Sequence, residues 1–355
     1  MTDSGTPSRR QGLPRQADAV QPEVSEPTPE TSVTAPASDV PAPGVPGLSA
    51  PPVVTSVARP ASKVNRKRVA WAIGIVIVAA IIVAIAKVLM TTSAVQSFVQ
   101  TYPGATELPA GAPVGIPAWL GWQHFFNVFL MVLIVRTGWR VRTEQRPQVF
   151  WTPRWRWMGT TKVSLNIWFH QGLDVLWLIN GVVFIVLLFV KGQWMRIVPT
   201  SWEIFPNAVS AALQYASFDW PTENGWVNYN SLQVLAYFVT VFIAAPLAIV
   251  TGVRMSGVWP QRAAKLNRVY PIEVARAIHL PVMFYFVAFI IVHVVLVLTT
   301  GALRNLNHMY AGQDDVSWLG FGIFVVSLVV IVGAWFAARP LVIAPIARLF
   351  GKVGR

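Results

Sequence analysis

The sequence predicts an all-α integral membrane protein with six transmembrane helices, and three observations support this fold class. Its 355 residues are 54% hydrophobic and only 12% charged, and the mean hydropathy is +0.52. A soluble domain of this size would need far more charge to cover its surface, so the bilayer is the expected solvent. Six apolar stretches reach the roughly 20 residues that a helix needs to cross a bilayer. The predicted spans are residues 71–90, 117–137, 165–190, 231–252, 275–299 and 318–338.

The N-terminal segment, residues 1–62, has a different composition from the rest of the chain. It holds 12 of the 27 prolines and no aromatic side chain. Such a segment cannot bury enough apolar surface to offset its chain entropy, which predicts a disordered cytoplasmic tail. It is too long and too polar for a signal-peptide n-region, so we expect residues 63–116 to form a retained signal-anchor helix and an outer loop. Residues 117–301 then form a four-helix core, and residues 302–355 add an outer loop, the sixth helix and a basic cytoplasmic tail.

The basic residues are distributed very unevenly between the two sides of the predicted membrane. Counted from residue 63, twenty Lys and Arg residues fall just before the first span, after span six, or in and beside the connections between spans two and three and between spans four and five. The opposite side holds three, namely Lys191, Arg196 and Arg304. The positive-inside rule therefore predicts cytoplasmic N- and C-termini in a bacterial inner membrane. The net charge of +13 is explained by this topology, with anionic lipid as the expected partner and no need for nucleic acid.

Four of the five histidines lie inside predicted spans, where an ionisable side chain is costly and is by default a functional candidate. His279 and His293 are 14 residues apart on the fifth span. They are therefore separated by roughly 21 Å along nearly the same helix face. Because the spans alternate in direction, His124 lies at the outer depth of His293, and His170 lies at the inner depth of His279.

Each depth-matched pair offers two neutral imidazoles, which are the axial ligands that a six-coordinate b-type haem needs. Zinc would require three or four ligands at one depth. The chain has no cysteine, which excludes disulfides, iron–sulfur clusters, covalently attached haem and thiolate zinc sites. Gly138 lies 14 residues after His124 and so faces the inner haem level, where it either admits a porphyrin edge or serves helix packing.

Short polar motifs accompany the histidines in the second to fifth spans. The second span has Gly-Trp-Gln-His-Phe-Phe-Asn at 121–127 and Thr-Gly at 137–138, and the third has Phe-His-Gln-Gly at 169–172 and Asn-Gly at 180–181, followed by Lys-Gly-Gln-Trp-Met-Arg at 191–196. The fourth begins near Asn-Ser-Leu-Gln at 230–233 and has Pro-Leu at 246–247 and Thr-Gly at 251–252. The fifth has Ala-Arg-Ala-Ile-His at 275–279 and His293, and it ends at Thr-Gly at 300–301. With these motifs, residues 117–301 resemble the di-haem b-type cytochrome subunits of nickel–iron hydrogenases, formate dehydrogenases and thiosulfate reductases, which belong to the prokaryotic cytochrome b five-six-one superfamily.

The resemblance implies an electron-transfer membrane subunit, not itself catalytic, that works between a quinone pool of menaquinone or ubiquinone and a partner redox subunit of the molybdenum or nickel–iron type. It also implies that all four intramembrane histidines are haem ligands. Three features depart from the family: an anchor helix before the core, a sixth helix after it, and the N-terminal tail. The anchor helix reverses the direction in which the four-helix core is inserted into the membrane. Two other functions stay open, a stand-alone quinone-linked reductase of superoxide or metal ions and a haem-free, proton-coupled transporter.

Two charged residues lie beside the inner histidines. Asp174, one turn after His170, is expected either to exchange protons with quinone or to pair with Lys162 or Arg276. Arg276, three residues before His279, is expected either to bind a haem propionate or to be a topology charge at the headgroups.

Two segments outside the spans also carry expectations. Residues 191–230 form a long outer loop that we expect to cap the outer haem, to dock a partner or simply to pack. The Trp-rich run at 151–157 is expected to lie in the inner headgroup layer.

Overall fold

The computed structural model describes residues 66–154, 162–220, 224–260 and 262–355. The predicted tail, residues 1–62, lies outside them. The helices are α1 (Arg66–Met90), α2 (Ser93–Thr101), α3 (Ala118–Thr143), α4 (Leu165–Val190), α5 (Ile204–Ser217), α6 (Ser231–Val239), α7 (Ala245–Met255), α8 (Ala264–Val269), α9 (Ile272–Thr299), α10 (Ala302–Leu306), α11 (Leu319–Ala337) and α12 (Pro340–Phe350). A 3₁₀ turn spans Gln193–Arg196, π segments span Thr240–Ala244 and Asn307–Ala311, and the strands are β1 (Phe150–Pro153), β2 (Val163–Ser164) and β3 (Gly351–Gly354).

Among the residues that the structure describes, six helices are long and apolar enough to cross a membrane, which confirms the predicted all-α, six-span architecture. They are α1, α3, α4, the continuous helix Ser231–Met255, α9 and α11. Several continue beyond the apolar stretch: α3 runs six residues past the predicted end at 137 and carries Arg140 and Arg142 in its last turn. Long basic side chains can lie along apolar surface while their charged ends reach water. Hydropathy therefore locates the spans but underestimates the length of the helices.

The fourth span changes its helical pitch in the middle. Pro246 has no N–H for the carbonyl four residues earlier, and the π segment Thr240–Ala244 directly precedes the helical turn that holds this proline. The hydroxyl of Thr240 lies 2.7 Å from the phenol oxygen of Tyr285 on α9, which joins the wider turn to the neighbouring helix. The helix starts at a capping box made by Asn230 and Gln233.

The centre of the bundle is a small apolar cluster between the two histidine levels. Met131 of α3, Ala244 of the π segment, and Val282 and Phe286 of α9 are buried there. Helix α3 packs against α4 and α11, and α7 packs against α9. Because lipid is as apolar as these side chains, close packing and interhelical hydrogen bonds hold such helices together. One such bond runs from Trp177 Nε1 on α4 to Asn127 Oδ1 on α3 at 2.6 Å.

One end of the bundle, which we call the basic face, contains residues 136–154, 162–164, 254–260, 262–276 and 339–355. Here β1 pairs with β2 and β3 in an antiparallel sheet that joins the α3–α4 connection to the C-terminus. Trp151 is 5% exposed, and its Nε1 donates to the carbonyl of Ala347 at 3.0 Å. Trp151 is therefore covered by α12, and the expectation that residues 151–157 lie in the headgroup layer stays a prediction. Residues 155–157 lie outside the described residues.

The opposite end, which we call the loop face, contains residues 91–117, 191–220, 224–230 and 300–317. Its loops are tied together: the Gly104 amide donates to Asn207 Oδ1 at 2.9 Å, and the Ser231 amide donates to the Gly104 carbonyl at 2.8 Å. The connections therefore gather at two ends, in the grouping that the alternating spans predict. The cytoplasmic assignment of the basic face stays a prediction.

Candidate functional site

The structure brings His124 of α3 and His293 of α9 together near the loop face. Their ring centroids are 6.3 Å apart, and the ring planes are inclined by 54°. A metal-bound imidazole nitrogen lies about 2 Å from the metal, so two imidazoles on opposite sides of one metal have centroids roughly 6 Å apart. Phe289 stacks on His293 at 5.6 Å, and Tyr310 meets His124 edge-on at 6.0 Å. This outer pair is thus spaced for a shared metal and is flanked by aromatic rings.

The position of Tyr310 depends on glycines in two helices. A Cβ at Gly121 of α3 would lie 2.6 Å from the Met309 carbonyl, and a Cβ at Gly320 of α11 would lie 2.5 Å from the Asn307 backbone. The π segment Asn307–Ala311 therefore fits between α3 and α11 only because both positions lack a side chain. At Gly121 the structure thus places protein backbone directly against the helix.

The two inner histidines lie near the basic face, and each is hydrogen-bonded to a threonine of a neighbouring helix. His170 Nδ1 on α4 lies 2.9 Å from Thr137 Oγ1 on α3. His279 of α9 has the same arrangement with α7, and its Nδ1 lies 2.7 Å from Thr251 Oγ1. Each of the two inner histidines therefore has one threonine partner from a neighbouring helix. Their pairing on one metal stays a prediction.

The threonines determine which ring nitrogen carries the proton. Thr137 Oγ1 lies 2.8 Å from the Leu133 carbonyl, and Thr251 Oγ1 lies 2.6 Å from the Leu247 carbonyl. Each hydroxyl has one hydrogen. We assign it to that carbonyl, as is usual for a threonine inside a helix, so that the hydroxyl accepts from the imidazole. This assignment places the ring hydrogen on Nδ1 and leaves the lone pair on Nε2 free to bind a metal.

Each threonine is followed by a glycine that leaves space beside the same ring. A Cβ at Gly138 would lie 3.2 Å from Cε1 of His170, and a Cβ at Gly252 would lie 3.7 Å from Cε1 of His279. Sequence reasoning selected Gly138 for the inner level, and the structure places it there. It missed the roles of Thr137, Thr251 and Gly252, although the repeated Thr-Gly dipeptide was a visible signal.

The two charged residues predicted beside the inner pair behave differently. Asp174 Oδ2 lies 3.7 Å from His170 Nε2, which is beyond hydrogen-bond distance. Among the described residues, neither Lys162 nor Arg276 forms an ion pair with Asp174. Lys162 instead donates to the Arg355 carbonyl, and the Arg276 side chain is exposed. The expected pairing of Asp174 with either residue is therefore wrong. The headgroup and propionate readings of Arg276 stay open.

The outer pair has the ring spacing of a bis-histidine site, and each inner histidine has a threonine partner and a neighbouring glycine. Within the described ranges no group of three or more His, Cys, Asp or Glu residues is arranged to hold a metal ion. Two imidazoles with free Nε2 atoms are, however, the axial donors that haem requires. The residues present therefore fit the group that the sequence predicts.

Comparisons with known proteins give one informative match. The chain is 24% identical over 196 residues to a protein of Azospira oryzae named "Putative protein-methionine-sulfoxide reductase subunit YedZ1". The match covers 51% of this chain and 88% of that relative. No family model matches the sequence, and no solved structure matches it significantly.

The loop face is held by charged groups that lie outside the histidine pairs. Asp314 Oδ1 accepts from His308 Nε2 and Arg304 Nη2, each at 2.8 Å. The hydrogen bond from His308, followed by one from Asn224, lowers the pKa of Asp314 to about 2. Arg196 is 1% exposed and donates to the carbonyls of Gly115 at 2.7 Å and Gly225 at 2.6 Å.

These contacts show packing within the outer loop 191–230. Capping of the outer haem and partner docking stay predictions.

Proposed function

We propose that this chain is a membrane electron-transfer subunit of a reductase and binds two b-type haems. His124 and His293 would hold the outer haem, and His170 and His279 would hold the inner one. The observation that carries the proposal is the inner pair, in which threonine hydroxyls leave both Nε2 lone pairs free for iron. When bound, the haems supply reversible one-electron chemistry at two depths.

The protein's own residues position the ligands and exclude water. Helix α9 contributes one ligand to each level, and its geometry separates the two levels by roughly 21 Å along the membrane normal. The buried cluster of Met131, Ala244, Val282 and Phe286 fills the space between them. Aromatic rings flank the outer pair. This arrangement supports electron movement between the faces without an aqueous path.

The named relative supports a specific partner reaction. We propose that electrons leave quinol, either menaquinol or ubiquinol, and reach a partner subunit that reduces the sulfoxide of protein methionine. Quinol oxidation releases two electrons and two protons, and sulfoxide reduction consumes two of each to give the thioether and water. The resemblance adds that such a partner is of the molybdenum or nickel–iron type. Asp174, exposed for 40% of its side chain beside His170, is a candidate proton acceptor for quinol.

The haem assignment is tested by spectroscopy on the purified full-length chain. A reduced-minus-oxidised spectrum and a pyridine haemochrome assay should give two b-type haems per chain. H170A or H279A should remove one haem, and H124A or H293A should remove the other. Imidazole added to a folded variant should restore the lost signal.

The control for these variants is H308Q, which alters the fifth histidine and should keep both haems because His308 binds Asp314. A two-haem spectrum in H170A or H279A would contradict the inner assignment. Turnover with quinol and sulfoxide should require the partner subunit. Reduction of superoxide or metal ions by the isolated chain would instead favour a stand-alone reductase.

A further inference from the structure

We propose that Thr137 and Thr251 are positioning residues that hold the inner haem iron at a lower reduction potential than the outer iron. The inference rests on the proposed function, because it assumes an iron bound at each histidine pair. With the lower potential at the inner iron, electrons move from the basic face towards the loop face, and the two hydroxyls contribute to this direction.

The first observation is that each inner histidine is hydrogen-bonded at Nδ1 to a threonine from a different, neighbouring helix. Thr137 on α3 contacts Nδ1 of His170 on α4, and Thr251 on α7 contacts Nδ1 of His279 on α9. Both threonines are 1% exposed, and both hydroxyls are bonded to a carbonyl of the preceding turn. Their orientation is therefore fixed by the helix and does not depend on solvent.

The chemical consequence follows from the direction of these hydrogen bonds. An acceptor on Nδ1–H draws the hydrogen away from the ring and raises the electron density at Nε2. A more electron-rich imidazole is a stronger donor and stabilises ferric over ferrous iron, which lowers the reduction potential. Both axial ligands of the inner iron receive this effect, so the two contributions add.

The outer pair lacks the same support. His124 Nδ1 is buried without a hydrogen-bond partner in the part of the chain that the structure describes. The contacts of His293 are with aromatic rings: Phe289 stacks on it, and Tyr237 meets it edge-on at 6.2 Å. For His293, too, the described residues provide no hydrogen-bond acceptor. The outer imidazoles are then weaker donors, so the outer iron holds an electron more strongly.

The test is potentiometric titration of the purified full-length chain, with the haems assigned through the histidine variants. H170A leaves the outer haem and H124A leaves the inner one. In the native chain the lower midpoint should belong to the haem that H170A removes. T137V and T251V remove one hydroxyl each while keeping the β-branched shape. Each should lower the ratio of oxidised to reduced inner haem at fixed potential at least threefold, a shift of roughly 30 mV at 59 mV per decade.

Three comparisons separate a tuning role from a structural one. T137S should restore the native midpoint because it restores the hydroxyl. T299V removes a hydroxyl that bonds only to carbonyls of its own helix, Val295 and Leu296, and should leave both midpoints unchanged. The outer midpoint should stay constant in T137V and T251V, which excludes a general disturbance of the bundle.

Several outcomes would overturn the inference. The first is a native chain in which the outer haem has the lower midpoint potential. The second is an inner midpoint potential that stays unchanged in T137V and T251V. The third is a T299V variant whose inner midpoint potential shifts as much as in the other two variants. The native comparison decides the matter even if the valine variants fail to fold. A native chain without haem would overturn the proposed function itself, which is a distinguishable result.

Discussion

At the scale of single residues, the inner site depends on the absence of a side chain as much as on the ligands. Gly138 lies directly after Thr137 on α3, so one helical turn both holds the His170 ring and leaves space at its Cε1 edge. A methyl group at Gly138 would lie 3.2 Å from that carbon, which is closer than ordinary van der Waals contact. The ring would have to move, and the hydrogen bond to Thr137 would lengthen.

We therefore predict that G138A disturbs one haem. Its electron paramagnetic resonance signal should shift or broaden, and the haem content should fall from two per chain towards one. The matched control is G181A on α4, where a Cβ would meet nothing within 4 Å. That variant should keep both haem signals and should gain up to about 1 kcal/mol of stability from helix propensity. Identical spectra for G138A and G181A would contradict the role of Gly138.

At the scale of elements, the π segment Asn307–Ala311 packs against both α3 and α11 and so helps to join the sixth span to the four-helix core. Asn307 is fully buried: its Oδ1 accepts from the Gly320 amide at 2.7 Å, and its Nδ2 donates to Ser317 Oγ at 2.7 Å. The same segment places Tyr310 against His124. A shift of α11 would therefore reach the outer histidine through one short element.

The glycines of α11 provide a direct test of this connection. G320A would place a methyl group 2.5 Å from the Asn307 backbone, which cannot rotate away, so α11 should shift at a cost of about 1–3 kcal/mol. G322A lies on the same helix with open space around it and should be neutral. Thermal unfolding in detergent, followed by circular dichroism, measures the difference. The outer haem should be released before the inner one in G320A, and equal midpoints for the two variants would contradict this coupling.

At the scale of the whole molecule, the sequence predicts the spans and the histidine pairs because both follow from one-dimensional patterns. Hydropathy marks the apolar stretches, and helix rise converts the spacing of His279 and His293 into depth. Alternation of the spans then gives His124 and His170 their partners. The predicted outer pairing agrees with the 6.3 Å separation of the rings.

The features that the sequence does not predict are contacts between distant segments. Thr137 and His170 are 33 residues apart, and Thr251 and His279 are 28 apart, on helices whose rotation no periodicity fixes. The basic-face sheet pairs β1 with β3 across about two hundred residues, and its strands are too short to give an alternating pattern. Such contacts depend on how complete helices pack, which is a property of the folded bundle.

The orientation of the bundle determines which face delivers electrons, and the absence of cysteine makes it directly measurable. Val316 on the loop face is 70% exposed, and Val258 on the basic face is 86% exposed, so V316C and V258C form a matched pair on an unreactive background. With twenty basic residues on one side and three on the other, we expect a membrane-impermeant maleimide to label V316C in spheroplasts. V258C should react only after permeabilisation. The reverse pattern would place the inner histidine pair at the outer surface, and the partner subunit would then have to meet the chain on the opposite side of the membrane.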